Sequence, residues 1–579
     1  MEKRLLLFFA VTFLLVSLWP RLFPPPTPDP LPGAAADVTE PSTPAEGTGD
    51  IAPAPDESAS VAEEIPQAED RRAAEREEVV VVETDVYRLE LSNRGARILS
   101  ARLKDHQDDH GRPYELVSRA AAEHTGSYPL DLRLETAAKT EEVQTALFQV
   151  TSPAARPIRL TGAETADLHF VWADGKGLEV EKRLRFEGGS YGVDVVVSVR
   201  ENGDEVGKEV LFGPGLGTEV SQSQYRGVEK GVIASRGEVA LFSASDLDEA
   251  GTGVSVDATG VASHYFAALM LPEPSGLYGA RLERTTVPES VENGETRKQH
   301  DVITAALESQ RAPAAFHLFM GPKQLELLED LQPGLSKIIE FGEWMRYPAL
   351  LLRQGLVWLY GFVGNYGWAI VLLTVVINLL LVPLKHYSFV SMRKMQKLAP
   401  QIQRIRDRYK KVKPTDPRYQ HMNQEIMSLY KEHKVSPVSG CLPMLLMIPF
   451  FFAFYRLLMA SIELRHAPFM LWIADLSRHD PYFVLPILMG VSQIAIQKMT
   501  PQTTADPIQA KIMQFMPVMF TFILAWAPAG LVLYWFANNL VSMAQQVVTN
   551  RLLEGGEDGD GGARGAKAKK AEKQALARG

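Results

Sequence analysis

Apolar residues recur along this chain with one of two periods, and the places where the period changes divide it into parts. The opening MEKRLLLFFAVTFLLVSLWPRLF has an apolar run from Leu5 to Trp19 behind Lys3 and Arg4. Trp19, Pro20 and Arg21 stand where small residues would mark a cleavage site. Residues 1–23 are therefore read as an uncleaved signal-anchor span; a cleaved signal peptide is the other reading, because the run is short for a bilayer. Residues 24–78 open with PPPTPDPLPG and continue with Ala, Glu, Asp, Ser and more Pro. With so few large apolar side chains, this linker is predicted to be disordered.

From 79 to 321 the dominant period is two. VYRLELS sets Tyr87, Leu89 and Leu91 against Arg88, Glu90 and Ser92. LEVEKRLRFE sets Leu178, Val180, Leu184 and Phe186 on one face, and Tyr191 to Val199 continue the alternation. Strands with one buried and one solvated face follow, as in antiparallel sheets, and the stretch is long enough for a sandwich core. It holds no Gly-rich phosphate loop, nucleophile elbow or metal-ligand cluster. His106, His110, His124 and His264 lack ligand-like spacing and are read as solvated or core residues. Residues 322–365 form a connector followed by an amphipathic helix. WMRYPALLLRQGLVWLYGFVGNYG mixes aliphatic and aromatic residues with Arg346 and Arg353, a composition suited to a membrane surface.

Long apolar runs then predict five spans at 366–384, 441–461, 482–498, 510–526 and 529–549. Pro443, Pro449, Pro486 and Pro517 lie inside them, tolerable where neighbouring helices satisfy the freed backbone groups. APAG at 527–530 is a tight turn joining the last two. Residues 386–434 switch to a helical period. Met392, Met395, Ala399, Ile402, Ile405, Tyr409 and Val412 recur every three or four positions. KPTDP breaks the helix, and Tyr419, Met422, Ile426 and Leu429 resume the pattern. An antiparallel helical hairpin with an apolar seam and a basic outside is expected.

Composition adds two constraints. The single Cys441 rules out an internal disulfide framework. The mean hydropathy near zero and the net charge of −10 are averages over unlike halves. Lys385 to Lys434 carries 13 Lys/Arg against 4 Asp/Glu, which marks the cytoplasmic side. Two spans onward, Lys498 and Lys511 lie on that side too. Six spans then place both termini in the cytoplasm, including the basic tail 551–579, and the β domain outside a bacterial inner membrane.

The residues of the membrane half resemble those of a YidC-type membrane protein insertase. The segments are FVGNYGWAIVLLTVVINLLLVPL, VSPVSGCLPMLLMIPFFFAFYRLLMASIELRHAPFMLWIADLS, DPYFVLPILMGVSQIAIQKM and DPIQAKIMQFMPVMFTFILAWAPAGLVLYWFANNLVSMAQQ. The outer domain fits more loosely, through its size, its position and SHYFAALMLP at 263–272. The resemblance implies a multi-pass α-helical membrane protein: a five-helix insertase core, 366–550, with an extracytoplasmic all-β supersandwich domain. It implies insertion and folding of integral membrane proteins, alone or beside the Sec translocon, with no cofactor and no catalysis. A polar groove holds a hydrophilic segment of the nascent client while its apolar helix enters the bilayer, which lowers the cost of moving polar groups through hydrocarbon.

The family usually has an Arg at the position of Asn378. The resemblance therefore implies a groove that is still polar but lacks that formal charge. Asn378 lies seven residues in from Lys385, roughly 10 Å deep by helical rise. A helix-packing amide is its other reading. Thr374 is one turn away on the same face. On the last span Tyr534, Trp535, Asn538, Ser542 and Gln545 add polar or amphipathic contacts, with Trp535 where the family often has a second Tyr. Arg456, roughly 23 Å from Cys441 by helical rise, is read either as replacing the charge or as an interfacial anchor.

Arg393, Lys394, Arg404, Arg408, Lys410 and Lys411 on the hairpin are candidate contacts for a ribosome or an acidic client, and a solvated positive loop is the plainer reading. Membrane lipids are a further expected partner. A small-solute transporter is the rival class, though the spans show no inverted repeat or intramembrane acid pair. An enzyme acting on carbohydrate is a third, without a carboxylate pair that spacing supports.

Overall fold

The computed structural model describes residues 71–551, apart from 109, 153–156, 218–228, 248–250, 275, 293–294, 343–344, 411–415, 434, 436–441 and 501–506. The predicted first span, most of the linker and the tail beyond Arg551 lie outside the described residues. The described chain falls into two compact units, divided between Ile339 and Glu340.

The first unit is mostly β, in three sheets, one of them ten-stranded and two five-stranded. In the large sheet, Leu178–Glu187 pairs with Gly192–Glu201, which pairs with Ala314–Pro322, which pairs with Phe266–Pro272, all antiparallel. The period of two holds: Leu178, Val180, Leu184 and Phe186 are buried, and so are Val193, Val195, Val197 and Val199. Ser92, expected on the solvated face, is buried as well, its hydroxyl donating to Glu77 Oε1 at 3.1 Å. Two short helices, Arg119–Thr125 and Ala137–Thr145, interrupt the strands.

The linker ends sooner than its composition predicts. Residues 71–78 join the β unit: Arg72 bridges to Ala173, and Ala74 N donates to Leu147 O. Asn93, itself buried, accepts from Glu78 N at 2.7 Å and donates to Arg76 O at 3.0 Å. One buried amide thus adds to the backbone bonds that place a segment whose only apolar residues are Ala73 and Ala74.

The second unit is helical. Its helices are α1 (Arg346–Val363), α2 (Tyr366–Leu380), α3 (Val382–Arg408), α4 (Pro417–Glu432), α5 (Leu442–Ala460), α6 (Val484–Met499), α7 (Pro507–Leu524) and α8 (529–551). α2, α5, α6, α7 and α8 coincide with the five apolar segments to within a few residues. Among the described residues no single helix is long and apolar enough to cross a membrane by itself; α2 and α3 meet that measure only together, bent by 60°. The bend has a covalent cause. Pro383 sits in the first turn of α3 without an N–H, and its ring excludes a continuous helix through Leu379. Lys385 is thereby placed on the first turn of α3 rather than on the end of α2.

α1 buries Ala349, Leu352, Arg353 and Leu356, and exposes Tyr347, Leu351, Trp358 and Phe362. α3 and α4 form the hairpin, with Met395, Leu398, Ile402 and Val435 packed against Met392, Ile426, Leu429 and Tyr430. Leu398 takes the seam position predicted for its neighbour Ala399. The segment 461–483 is held to the turn before α8: Ala529 N donates to Arg478 O at 2.6 Å and Gly530 N to Leu476 O at 2.9 Å. It also fixes the start of α2, because Asn365 Nδ2 donates to the carbonyls of Pro468 and Phe469, both at 3.1 Å. Gly367 fits there only because it lacks a Cβ, which would lie 2.0 Å from the Phe469 ring.

Candidate functional site

Amid largely apolar helices, the packing of α2 and the first turn of α3 against α8 gathers five polar side chains. Asn378 is at the centre, 1% exposed. Its Nδ2 donates back to Thr374 O at 2.7 Å and across to Asn538 Oδ1 at 3.1 Å. Its Oδ1 accepts from Lys385 Nζ at 2.5 Å, and its backbone carbonyl accepts from Gln545 Nε2 at 3.0 Å. Lys385 Nζ also donates to Ser542 Oγ at 3.1 Å. Asn538, Ser542 and Gln545 are spaced four and three apart, so they share one face of α8. The cluster follows from two local facts: that face, and the break at Leu381, which turns Lys385 toward it.

Asn378 bonds to a neighbouring helix, as its helix-packing reading has it, and it is also the hub of a polar cluster. Other predicted residues lie elsewhere. Thr374 is fully buried and its hydroxyl is used within its own helix, donating to Ile370 O at 2.7 Å. Tyr534 is buried and stacked on Phe454, with ring centroids 4.5 Å apart. Trp535 Nε1 donates to Gln493 Oε1 on α6 at 3.1 Å, and its ring meets Phe451 and Phe520. Tyr534 and Trp535 pack helices together and make none of the cluster's hydrogen bonds, whereas Thr374 enters it only through its backbone carbonyl. Arg456 is exposed on α5 and makes none either. Lys385 was the residue missed. In the sequence it is two helical turns beyond Asn378 with a proline between them, and that spacing was the available signal.

On the hairpin, Lys394, Arg404, Arg408 and Lys410 are exposed, and Lys411 lies outside the described residues. Arg408 pairs with Glu425. Arg393 is not a free recruitment residue. It is half-buried, stacked 5.5 Å over the Phe389 ring, and donates to Asn550 Oδ1 at 2.7 Å, joining α3 to the end of α8. A cleft in the β unit is lined by Arg133, Lys139, Glu201, Glu209, Arg281 and Glu308 among others. Its charges are paired with one another, as Arg133 with Glu209 and Arg281 with Glu308, and its lining has no aromatic ring on which a sugar would stack. Among the described residues no His, Cys, Asp and Glu groups are placed to hold a metal ion.

Comparison with known proteins gives a consistent result. The family profile described as 60Kd inner membrane protein matches residues 358–556, and that of the YidC periplasmic domain matches 79–359. Membrane protein insertase YidC of Geobacter metallireducens is 34% identical over 96% of this chain and 100% of its own. The protein of the same name from Geotalea daltonii is 32% identical over the same shares. A crystal structure of an active YidC insertase with its first transmembrane domain resolved covers 82% of this chain and 93% of its own, at 19% identity and a TM-score of 0.35.

Proposed function

This chain belongs to the YidC family of membrane protein insertases, and from that premise we propose that the cluster around Asn378 receives the hydrophilic segments of its clients. The protein inserts integral membrane proteins, and it is an inner-membrane protein with a mostly β periplasmic domain. The observation that supports the site is the cluster itself. Five hydrogen-bonding side chains meet where α2 and the first turn of α3 pack on α8. Such groups at that depth are costly unless hydrogen-bonded; here they bond to one another, and a client's polar segment can take over those bonds. A client's hydrophilic segment exchanges water for these donors and acceptors, while burial of its apolar helix in lipid supplies the driving force.

In this reading six spans place both termini in the cytoplasm, on the strength of the basic loop and tail, and the periplasmic sheets form a supersandwich. Exposed Lys394, Arg404 and Lys410 suit the phosphates of a ribosome or acidic client segments. Exposed Trp358 and Phe362 on α1 and Trp368 on α2 suit membrane lipids. Contact with the Sec translocon follows from the family resemblance. The test is Asn378→Leu in cells depleted of the wild-type protein. Three hydrogen bonds centre on this side-chain amide, so insertion of a small membrane-protein reporter should fall about tenfold or more while the variant accumulates normally. Insertion at the wild-type rate would mean that Asn378 only packs helices.

A further inference from the structure

Lys385 is where the sequence leads one to expect a lysine that reaches outward, at the cytoplasmic end of a span. Such side chains extend toward headgroups and water. This one runs the opposite way. Its ammonium turns back by two helical turns to Asn378 Oδ1, at 2.5 Å, and across to Ser542 Oγ, at 3.1 Å. Both acceptors are neutral, and they take two of its three protons. Among the described residues it has no carboxylate partner. A positive charge drawn inward, half-buried and not neutralised attracts an anion far more strongly than the same charge in water. Asn378, at the position where a formal charge was missing, serves as the acceptor that aims this ammonium.

The second observation is the helix that carries the lysine. Lys385 belongs to α3, beyond the 60° break, and α3 continues without interruption into the cytoplasmic hairpin as far as Arg408. A charge on α2 would be fixed in the core. A charge on the first turn of α3 is carried by the same helix that enters the hairpin.

The geometry points to Lys385 as the cation of the client site, with Asn378 as its positioning residue, so that the site selects client segments bearing carboxylates and its charge is set by the placement of the hairpin. This inference rests on the reading of the cluster as the client site.

The experiment compares insertion of two clients that differ only in an acidic or a neutral hydrophilic tail, in cells depleted of the wild-type protein. The readout is the acidic-to-neutral ratio. Lys385→Gln should lower the ratio about tenfold, the effect of one partly desolvated charge pair, and Lys385→Arg should retain it. Asn378→Arg combined with Lys385→Gln should restore it, because the charge now sits on α2. Replacing 395–430 with a Gly/Ser linker should lower the ratio in the otherwise wild-type protein but not in the Asn378→Arg/Lys385→Gln background. An unchanged ratio in Lys385→Gln, or equal loss on hairpin replacement in both backgrounds, overturns the inference. Photo-crosslinking from position 538 to the client separates the two levels. Crosslinks that persist beside an unchanged ratio sink only the charge assignment, whereas a wild-type site that gives no crosslinks removes the client site itself.

Discussion

Lys182→Met should destabilise the periplasmic β unit by about 3–5 kcal/mol, although it removes a charge from an apolar core. Lys182 is 0% exposed on the central strand Leu178–Glu187. Its ammonium donates to Gly95 O at 2.6 Å, Leu130 O at 2.7 Å and Ala96 O at 3.1 Å, so each of its three protons has an acceptor. All three acceptors come from residues with positive φ: 68° at Gly95, 48° at Ala96 and 71° at Leu130. For Ala96 and Leu130 this left-handed backbone is strained, and the shared Lys182 nitrogen ties the two turns together. Methionine fills the same length but leaves three buried carbonyls without donors. The charge also has a pH signature. Burial pushes Lys182 down from 10.5 to about 7, with the buried Asp131 carboxylate opposing the shift. Between those values the unfolded chain binds the proton that the folded protein has released. Stability of the unit should therefore rise with pH from about 7 to 10.5 in the wild type. It should not do so in Lys182→Met. Pulse proteolysis of the full-length protein in urea, following the periplasmic unit, measures both effects. A variant as stable as the wild type would show that the ammonium is dispensable to the two turns.

Arg353→Met should cost the helical unit about 3 kcal/mol. Its place on a surface-lying amphipathic helix suggested an interfacial charge, yet the side chain is only 10% exposed. Arg353 Nε donates to Glu463 Oε1 at 3.0 Å, and Nη2 meets the same oxygen, which ties α1 to the segment after α5. Methionine keeps the aliphatic stem and leaves Glu463 as a largely buried carboxylate without this guanidinium. Glu463→Gln in the Arg353→Met background should recover a large part of the loss, because the uncompensated charge is then gone. Heat-induced aggregation of the purified protein in detergent reads both variants. A single variant that melts with the wild type would assign the pair to the surface.

The periodicities account for most of what was legible. Alternation at Leu178–Phe186 gave the buried face of a central strand, and counted strictly by two it also places Lys182 inward. The residue was overlooked because lysine is rarely buried, not because the pattern was silent. Apolar run lengths located α2, α5, α6, α7 and α8. They did not reveal that Pro383 ends α2 early and hands Lys385 to the next helix, because a bend depends on where the freed backbone is re-satisfied in space. Asn378 is legible as a polar residue at depth, but its partners Asn538 and Gln545 lie 160 and 167 positions away, and only packing of α8 brings them together. Thr374 lies on the face the period predicts, but its hydroxyl is satisfied on Ile370 O within its own helix and only its backbone carbonyl meets Asn378. The order of residues 71–78 is not legible in composition, since backbone bonds to Ala173 and Leu147 and the distant amide of Asn93 hold them.

In the function proposed, the Asn378 cluster holds the hydrophilic part of a client during insertion. Photo-crosslinking from positions 538 and 545 to ribosome-stalled membrane-protein chains of increasing length tests it most directly, with position 456 as the control. Crosslinks from 538 and 545 to the hydrophilic segment flanking the client's apolar helix, absent from 456 and present only over a window of chain lengths, are the predicted result. Crosslinks confined to the apolar helix itself, or none from either position while the client still inserts, would contradict it.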